Sequence, residues 1–169
     1  MKLFQDLKQV EPRKDMAAEK ELTRILDEQS IEISIPNKLG HERIAMACSA
    51  SFAKIVGFRP ERIEDLKTAV SEACINAMEH GNKNDPSARV VISMHYNDHI
   101  FSVSVMDQGK GMANSNESYE EPDIELKIQQ LQTPRGLGIF LIKQLVDEVE
   151  FNQTTDEGHM VRMVFRITG

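Results

Sequence analysis

Glu72, Asn76 and His80 stand four residues apart in a stretch of helical periodicity, so a carboxylate, an amide and an imidazole share one helix face and drift slowly round the axis. At about 100° per residue their stripe lies roughly 80° from the centre of the apolar face, at the rim of a core, where polar groups can face a cleft. His80 reads as support for the helix end. Farther along, Phe101, Val103 and Val105 alternate on one strand face, and Asp107 falls in the same phase. A carboxylate buried there needs a donor, which a ligand amino group would supply; in the other reading the strand has ended and Asp107 starts a turn. Gly109-Lys110-Gly111 follows at once, and Gly136-Leu137-Gly138 opens a later helix. Glycines let backbone amides approach an anion and a helix N-terminus adds its dipole, so both loops suit phosphate. No Gly-x-Gly-x-x-Gly follows a strand and no Gly-Lys-Ser/Thr occurs, which removes the dinucleotide and P-loop readings. Arg135, directly before the second loop, either reaches a γ-phosphate or stays solvated.

The elements that must position these groups are legible from periodicity. Ile31, Ile33 and Ile35 alternate with polar residues up to Pro36, as a half-buried strand does. Ile44, Ala47, Cys48, Phe52, Ile55 and Val56 recur at helical spacing as far as Gly57, and Phe58-Arg59-Pro60 turns into the helix of Glu72. That helix carries Ile63, Leu66, Ala69, Val70, Ala73, Ala77 and Met78 on its apolar side and is expected to stop at His80-Gly81-Asn82, with glycine as its C-terminal signal. Arg89 to Tyr96 and Ile100 to Met106, joined by Asn97-Asp98-His99, read as a hairpin. Residues 109–134 are polar and acidic, the length and character of a functional lid or a disordered segment. A helix from Gly136 to Val149 and strands around Val149–Phe151 and His159–Ile167 close the pattern. The fold class expected is α+β, a two-layer sandwich with helices packed on one face of a mostly antiparallel sheet.

The bulk numbers of the 169-residue chain agree with one domain, over 31–169, behind an N-terminal extension (1–30) whose Leu22, Ile25 and Leu26 read as an amphipathic helix or arm. A net charge of −7 argues against general attraction to nucleic acid or anionic lipid. The first six residues lack the cationic start and apolar middle of a signal peptide, so the expected location is the cytoplasm. Cys48 and Cys74, flanked by alanines, read as reduced core thiols.

Taken in order, Glu72-Ala73-Cys74-Ile75-Asn76-Ala77, Asp107-Gln108-Gly109-Lys110-Gly111 and Gly136-Leu137-Gly138 resemble the three boxes of the Bergerat (GHKL-type) ATPases. Asp65 to Ala73, with Asn76-Ala77 and His80-Gly81 after them, look most like the signature helix of the anti-sigma-factor serine kinases. The resemblance covers Ile31 to Ile167. It implies an ATP-binding kinase domain over residues 31–169 with a lid at about 112–135. It implies that Asn76 binds Mg²⁺, that Asp107 accepts from the adenine amino group, and that Gly109, Gly111, Gly136 and Gly138 give the nucleotide room, with Glu72 as general base. The implied activity is ATP-dependent phosphorylation of a serine on a STAS-type anti-anti-sigma protein, with sequestration of a sigma factor and a homodimeric state whose contact is assigned to the first helix and strand. Two features depart from the family: His159 stands after Glu157-Gly158 where a threonine is usual, and the lid lacks a clear family pattern. They leave open a second class of function, a nucleotide-dependent binding module with little or no transfer. The catalytic half of a histidine kinase would need a phosphoacceptor histidine on a helical hairpin, and the first thirty residues contain no histidine.

Overall fold

The computed structural model describes residues 29–109, 137–153 and 158–167. The N-terminal extension before residue 29, the lid at about 112–135, and Gly111, Arg135 and Gly136 lie outside the described residues. The elements are β1 (Ser30–Pro36), α1 (Glu42–Ile55), α2 (Pro60–Asn76), a π turn (Ala77–Gly81), β2 (Arg89–Asn97), β3 (Ile100–Met106), α3 (Leu137–Leu145), β4 (Glu148–Gln153) and β5 (His159–Arg166).

The strands form a five-stranded sheet in the order β1-β2-β3-β5-β4, every adjacent pair antiparallel. Register follows side-chain alternation, because a slip of one residue would turn every apolar side chain to water. Ile35 pairs with Val90, Ile33 with Ile92, Val105 with Ile92, Val103 with Met163 and Phe101 with Phe165, so one sheet face is continuously apolar. The other face carries cross-strand polar pairs such as Ser93 with Glu32 and Arg162 with Glu150. The β2–β3 hairpin turns at Asp98 and His99, both with positive φ (47° and 65°), the signature of the primed turns whose twist matches paired strands. The expected α+β sandwich is the one formed.

Helices α1 and α2 pack on each other, and α3 packs on α2. Pro60 begins α2 at the one end where a missing N–H costs nothing. Ile63, Leu66, Ala69, Val70, Ala73 and Cys74 form its buried side. Phe101 of β3 is the hub of the core, in edge-on contact with Phe52 of α1 and Phe58 of the α1–α2 turn at centroid distances of 5.3 and 5.2 Å. Cys74 is buried and Cys48 lies half-buried against the core.

Two readings of the sequence need correction. The buried face of α1 is Ala45, Ser49, Ala50, Phe52 and Ala53, whereas Ile44 and Ile55 are 53% and 80% exposed. Small side chains let α1 approach its neighbours closely, and only Phe52 is needed to fill the remaining space. The second correction concerns the end of α2. Regular α-helix stops at Asn76 and continues as a π turn, in which Asn82 N–H reaches back to Ala77 O. Gly81 does not have the left-handed φ of a C-terminal glycine; its lack of a side chain serves a contact described below.

Candidate functional site

Two constellations are built on this frame. The first joins α2 to the start of α3. Glu72 and Asn76, one turn apart and both half-buried, face the first turn of α3, where a Cβ added to Gly138 would lie 2.6 Å from Glu72 Oε2 and 3.3 Å from Asn76 Nδ2. The space over Gly138 is thus filled by a carboxylate and an amide. Leu137, the residue before, is 39% exposed and opens α3.

The second constellation surrounds Asp107. β3 ends at Met106, yet the Asp107 N–H still bonds to His159 O, so the residue extends the ladder by one step. Its carboxylate is buried on the apolar phase of the strand, as the alternation predicts, and it also caps the turn that follows: Oδ1 accepts from Gly109 N–H at 3.1 Å and from His159 N–H at 3.2 Å. Oδ2 has the His159 ring nitrogen Nδ1 at 3.5 Å and the Gly81 Cα on its other side. A Cβ on Gly81 would overlap this carboxylate, and one on Gly109 would overlap the Gly81 carbonyl. Gly81 and Gly109 are therefore both close-approach glycines. Both strand and turn readings of Asp107 hold at once.

Of the residues singled out in the sequence, Glu72, Asn76, Leu137 and Gly138 come together, as do Asp107 and Gly109. His80 is exposed in the π turn. Sequence reasoning took Gly81 and Asn82 only as the helix end and passed over both as site residues. Asn82 is 3% exposed and its amide joins four segments; the available signal was a polar residue next to a glycine inside the motif region. Among the described residues no group of three or more His, Cys, Asp or Glu side chains is placed to hold a metal, and no helix is long and apolar enough to cross a membrane.

Helices on one face of an antiparallel sheet, with a carboxylate and an amide one turn apart opposite a helix that has glycine in its first turn, form the fold of the Bergerat type that the three sequence boxes resemble. The sequence profile of the histidine kinase-like ATPase domain matches residues 35–165. Serine-protein kinase RsbW of Bacillus cereus is 34% identical over 137 residues, 80% of this chain and 83% of the relative. RsbW of Halalkalibacterium halodurans is 32% identical over 83% of this chain and 85% of its own, and the anti-sigma F factor of Anoxybacillus flavithermus 29% over 76% and 86%. In fold, the chain resembles the SiaB–SiaC complex structure from Pseudomonas aeruginosa (TM-score 0.58, 15% identity, covering 80% of this chain and 88% of that one). It also resembles the RsbU and RsbW domains of a Mycobacterium tuberculosis protein (TM-score 0.56, 20% identity, 81% and 32% covered). The chain belongs to the histidine kinase-like ATPase family, in the branch that holds the RsbW serine-protein kinases.

Proposed function

We propose that this protein is an ATP-dependent serine kinase and anti-sigma factor, which phosphorylates a STAS-type anti-anti-sigma protein and otherwise sequesters a sigma factor. The observation that carries the reading is the meeting of Glu72 and Asn76 with Gly138 across two helices. Relatives named as serine-protein kinases and as an anti-sigma factor support it.

Family membership implies a nucleotide, and the finer assignment to ATP with Mg²⁺ rests on the donors present. The Asn76 amide oxygen is a hard oxygen donor beside the Glu72 carboxylate, suited to a cation that prefers few protein ligands and substrate phosphates. Asn76 would hold Mg²⁺, which supplies neutralisation of phosphate charge. In this reading Asp107 would accept from the adenine amino group, Gly109, Gly111, Gly136 and Gly138 would let the backbone come close to the nucleotide, Leu137 would lie beside it, and Arg135 would reach the γ-phosphate. Glu72 takes the proton from the substrate serine hydroxyl as its oxygen bonds to the γ-phosphorus, and the γ-phosphoryl bond to ADP breaks. Such transfer asks of a protein mainly positioning and charge neutralisation. Two free thiols support a reducing compartment, and the proposed location is the cytoplasm.

A homodimer is part of the proposal, through α1, where Ile44 and Ile55 are exposed, and β1, an edge strand among the described residues. The second reading, a nucleotide-dependent binding module with little transfer, is favoured by the His159 ring at Asp107 Oδ2, where the family usually has a threonine.

Calorimetry of ATP and Mg²⁺ binding tests the site, with Asn76→Ala and Asp107→Asn as paired variants; the expected result is Mg²⁺-dependent binding lost in both. Transfer of label from γ-labelled ATP to a STAS-type protein, abolished by Glu72→Ala while ATP still binds, separates kinase from module. Binding without any transfer would establish the module.

A further inference from the structure

Asn82 follows the π turn and lies six residues beyond Asn76. It is 3% exposed, and every polar group it has is engaged. Its N–H donates to Ala77 O at 2.8 Å, closing the π turn, and its carbonyl accepts from Asp85 N–H at 2.9 Å. The side-chain Nδ2 donates to Asn37 Oδ1 at 3.1 Å and to Arg89 O at 3.0 Å. Oδ1 accepts from the backbone N–H of Gln108 at 2.8 Å, and Gln108 is the residue directly after Asp107. Asn37, itself 7% exposed, is anchored in turn by Nδ2 to Asp85 O at 2.9 Å. One amide thus ties the end of the Glu72–Asn76 helix to the exit of β1, the start of β2 and the loop that carries Asp107.

The geometry points to Asn82 as a positioning residue for base recognition: by fixing the Asp107–Gly109 turn on the end of α2, it sets how strongly the site prefers adenine over guanine. This rests on the nucleotide reading given above. Asparagine is the side chain whose inventory fits, with two donors for two acceptors and one acceptor for one donor. Aspartate keeps the acceptor and loses both donors; alanine removes the partner of Gln108 N–H, Asn37 Oδ1 and Arg89 O, the bond to Asn37 being buried and the other two partly so. Adenine presents an amino donor where guanine presents a carbonyl. A carboxylate held at one place pairs with the first and repels the second, whereas a carboxylate free to withdraw does neither well. Close approach to Gly81 bounds the Asp107 carboxylate on one side, and the bond from Gln108 N–H to Asn82 Oδ1 holds the turn that follows it. A residue that only supported the fold would lower stability and weaken both nucleotides together.

Binding of ATP and of GTP to the full chain, by calorimetry in Mg²⁺, tests this in the intact protein, Asn82→Ala, Asn82→Asp and Asn37→Ala, each checked for folding by circular dichroism. In Asn82→Ala the expected loss of ATP affinity is about tenfold or more, with GTP affected less, so that the ATP-to-GTP preference falls by about tenfold, in line with the cost of one lost buried hydrogen bond. Asn82→Asp, which is isosteric and keeps the acceptor for Gln108, is expected between Ala and the intact protein. Asn37→Ala is expected to lower the melting temperature and leave the preference unchanged. An unchanged preference in both folded Asn82 variants, with ATP bound by the intact protein, overturns the inference alone. Failure of the intact protein to bind ATP overturns the nucleotide reading as well.

Discussion

A methyl group on Gly138 would sit 2.6 Å from Glu72 Oε2 and 3.3 Å from Asn76 Nδ2, well inside contact distance of two side chains that the proposed chemistry needs in place. Gly138→Ala is therefore expected to push the carboxylate and amide off position while leaving the core intact, so ATP affinity should fall at least tenfold in calorimetry with a nearly unchanged melting curve. The cysteines give a second test at this scale. Burial, and next the Glu42 carboxylate, push the Cys74 thiol up to about 12, and burial also raises that of Cys48. At neutral pH Cys74 stays a protonated thiol, and only the thiolate attacks disulfide reagents. In the native protein a thiol reagent such as dithionitrobenzoate should react with Cys48 alone, and with both in denaturant. Since the unfolded Cys74 ionises from about 9, stability from this group is complete below that pH and declines as pH climbs toward about 12. Urea titrations at rising pH check the direction.

At the level of elements, phase was the information most readily recovered. The β1 alternation, the hairpin and the apolar side of α2 all appear where periodicity put them, because a half-buried strand or helix advertises its face in residue type. Asp107 was recoverable for the same reason: a charge in the apolar phase of a strand is an anomaly that physics must resolve. The face of α1 was not, since alanine and serine signal nothing to a hydrophobicity pattern, yet they are what lets this helix approach its neighbours. The π turn was also out of reach. Its register is set by the tertiary bonds around Asn82, and one extra residue per turn leaves no period to detect. Gly81 was accordingly read as a helix stop, when its cause is the carboxylate 26 residues away in sequence, a distance no local pattern spans. Packing between elements concentrates at Phe101, fully buried with two aromatic neighbours. Phe101→Ala is expected to cost about 3–5 kcal/mol, read as a lowered urea midpoint.

For the whole molecule, Ile44 and Ile55 leave apolar side chains exposed on α1, and among the described residues β1 is an edge strand of the sheet. If two copies meet there by a twofold axis, each presents the same patch to the other. Ile44→Asp combined with Ile55→Asp should convert a dimer to a monomer in light scattering while ATP binding persists; a wild-type monomer would remove the dimer from the proposal. The β4 edge differs, with Glu148 and Glu150 both engaged by arginines of β5, charges that discourage pairing with another strand.

The sheet order also bears on how the Asp107 turn is held. Although β5 is the last described strand in sequence, it lies inside the sheet, between β3 and β4, and its first residue, His159, supplies two backbone bonds to Asp107. The Asp107 turn is therefore hinged on a strand 52 residues away in sequence, so that any loosening of β5 would release both bonds together.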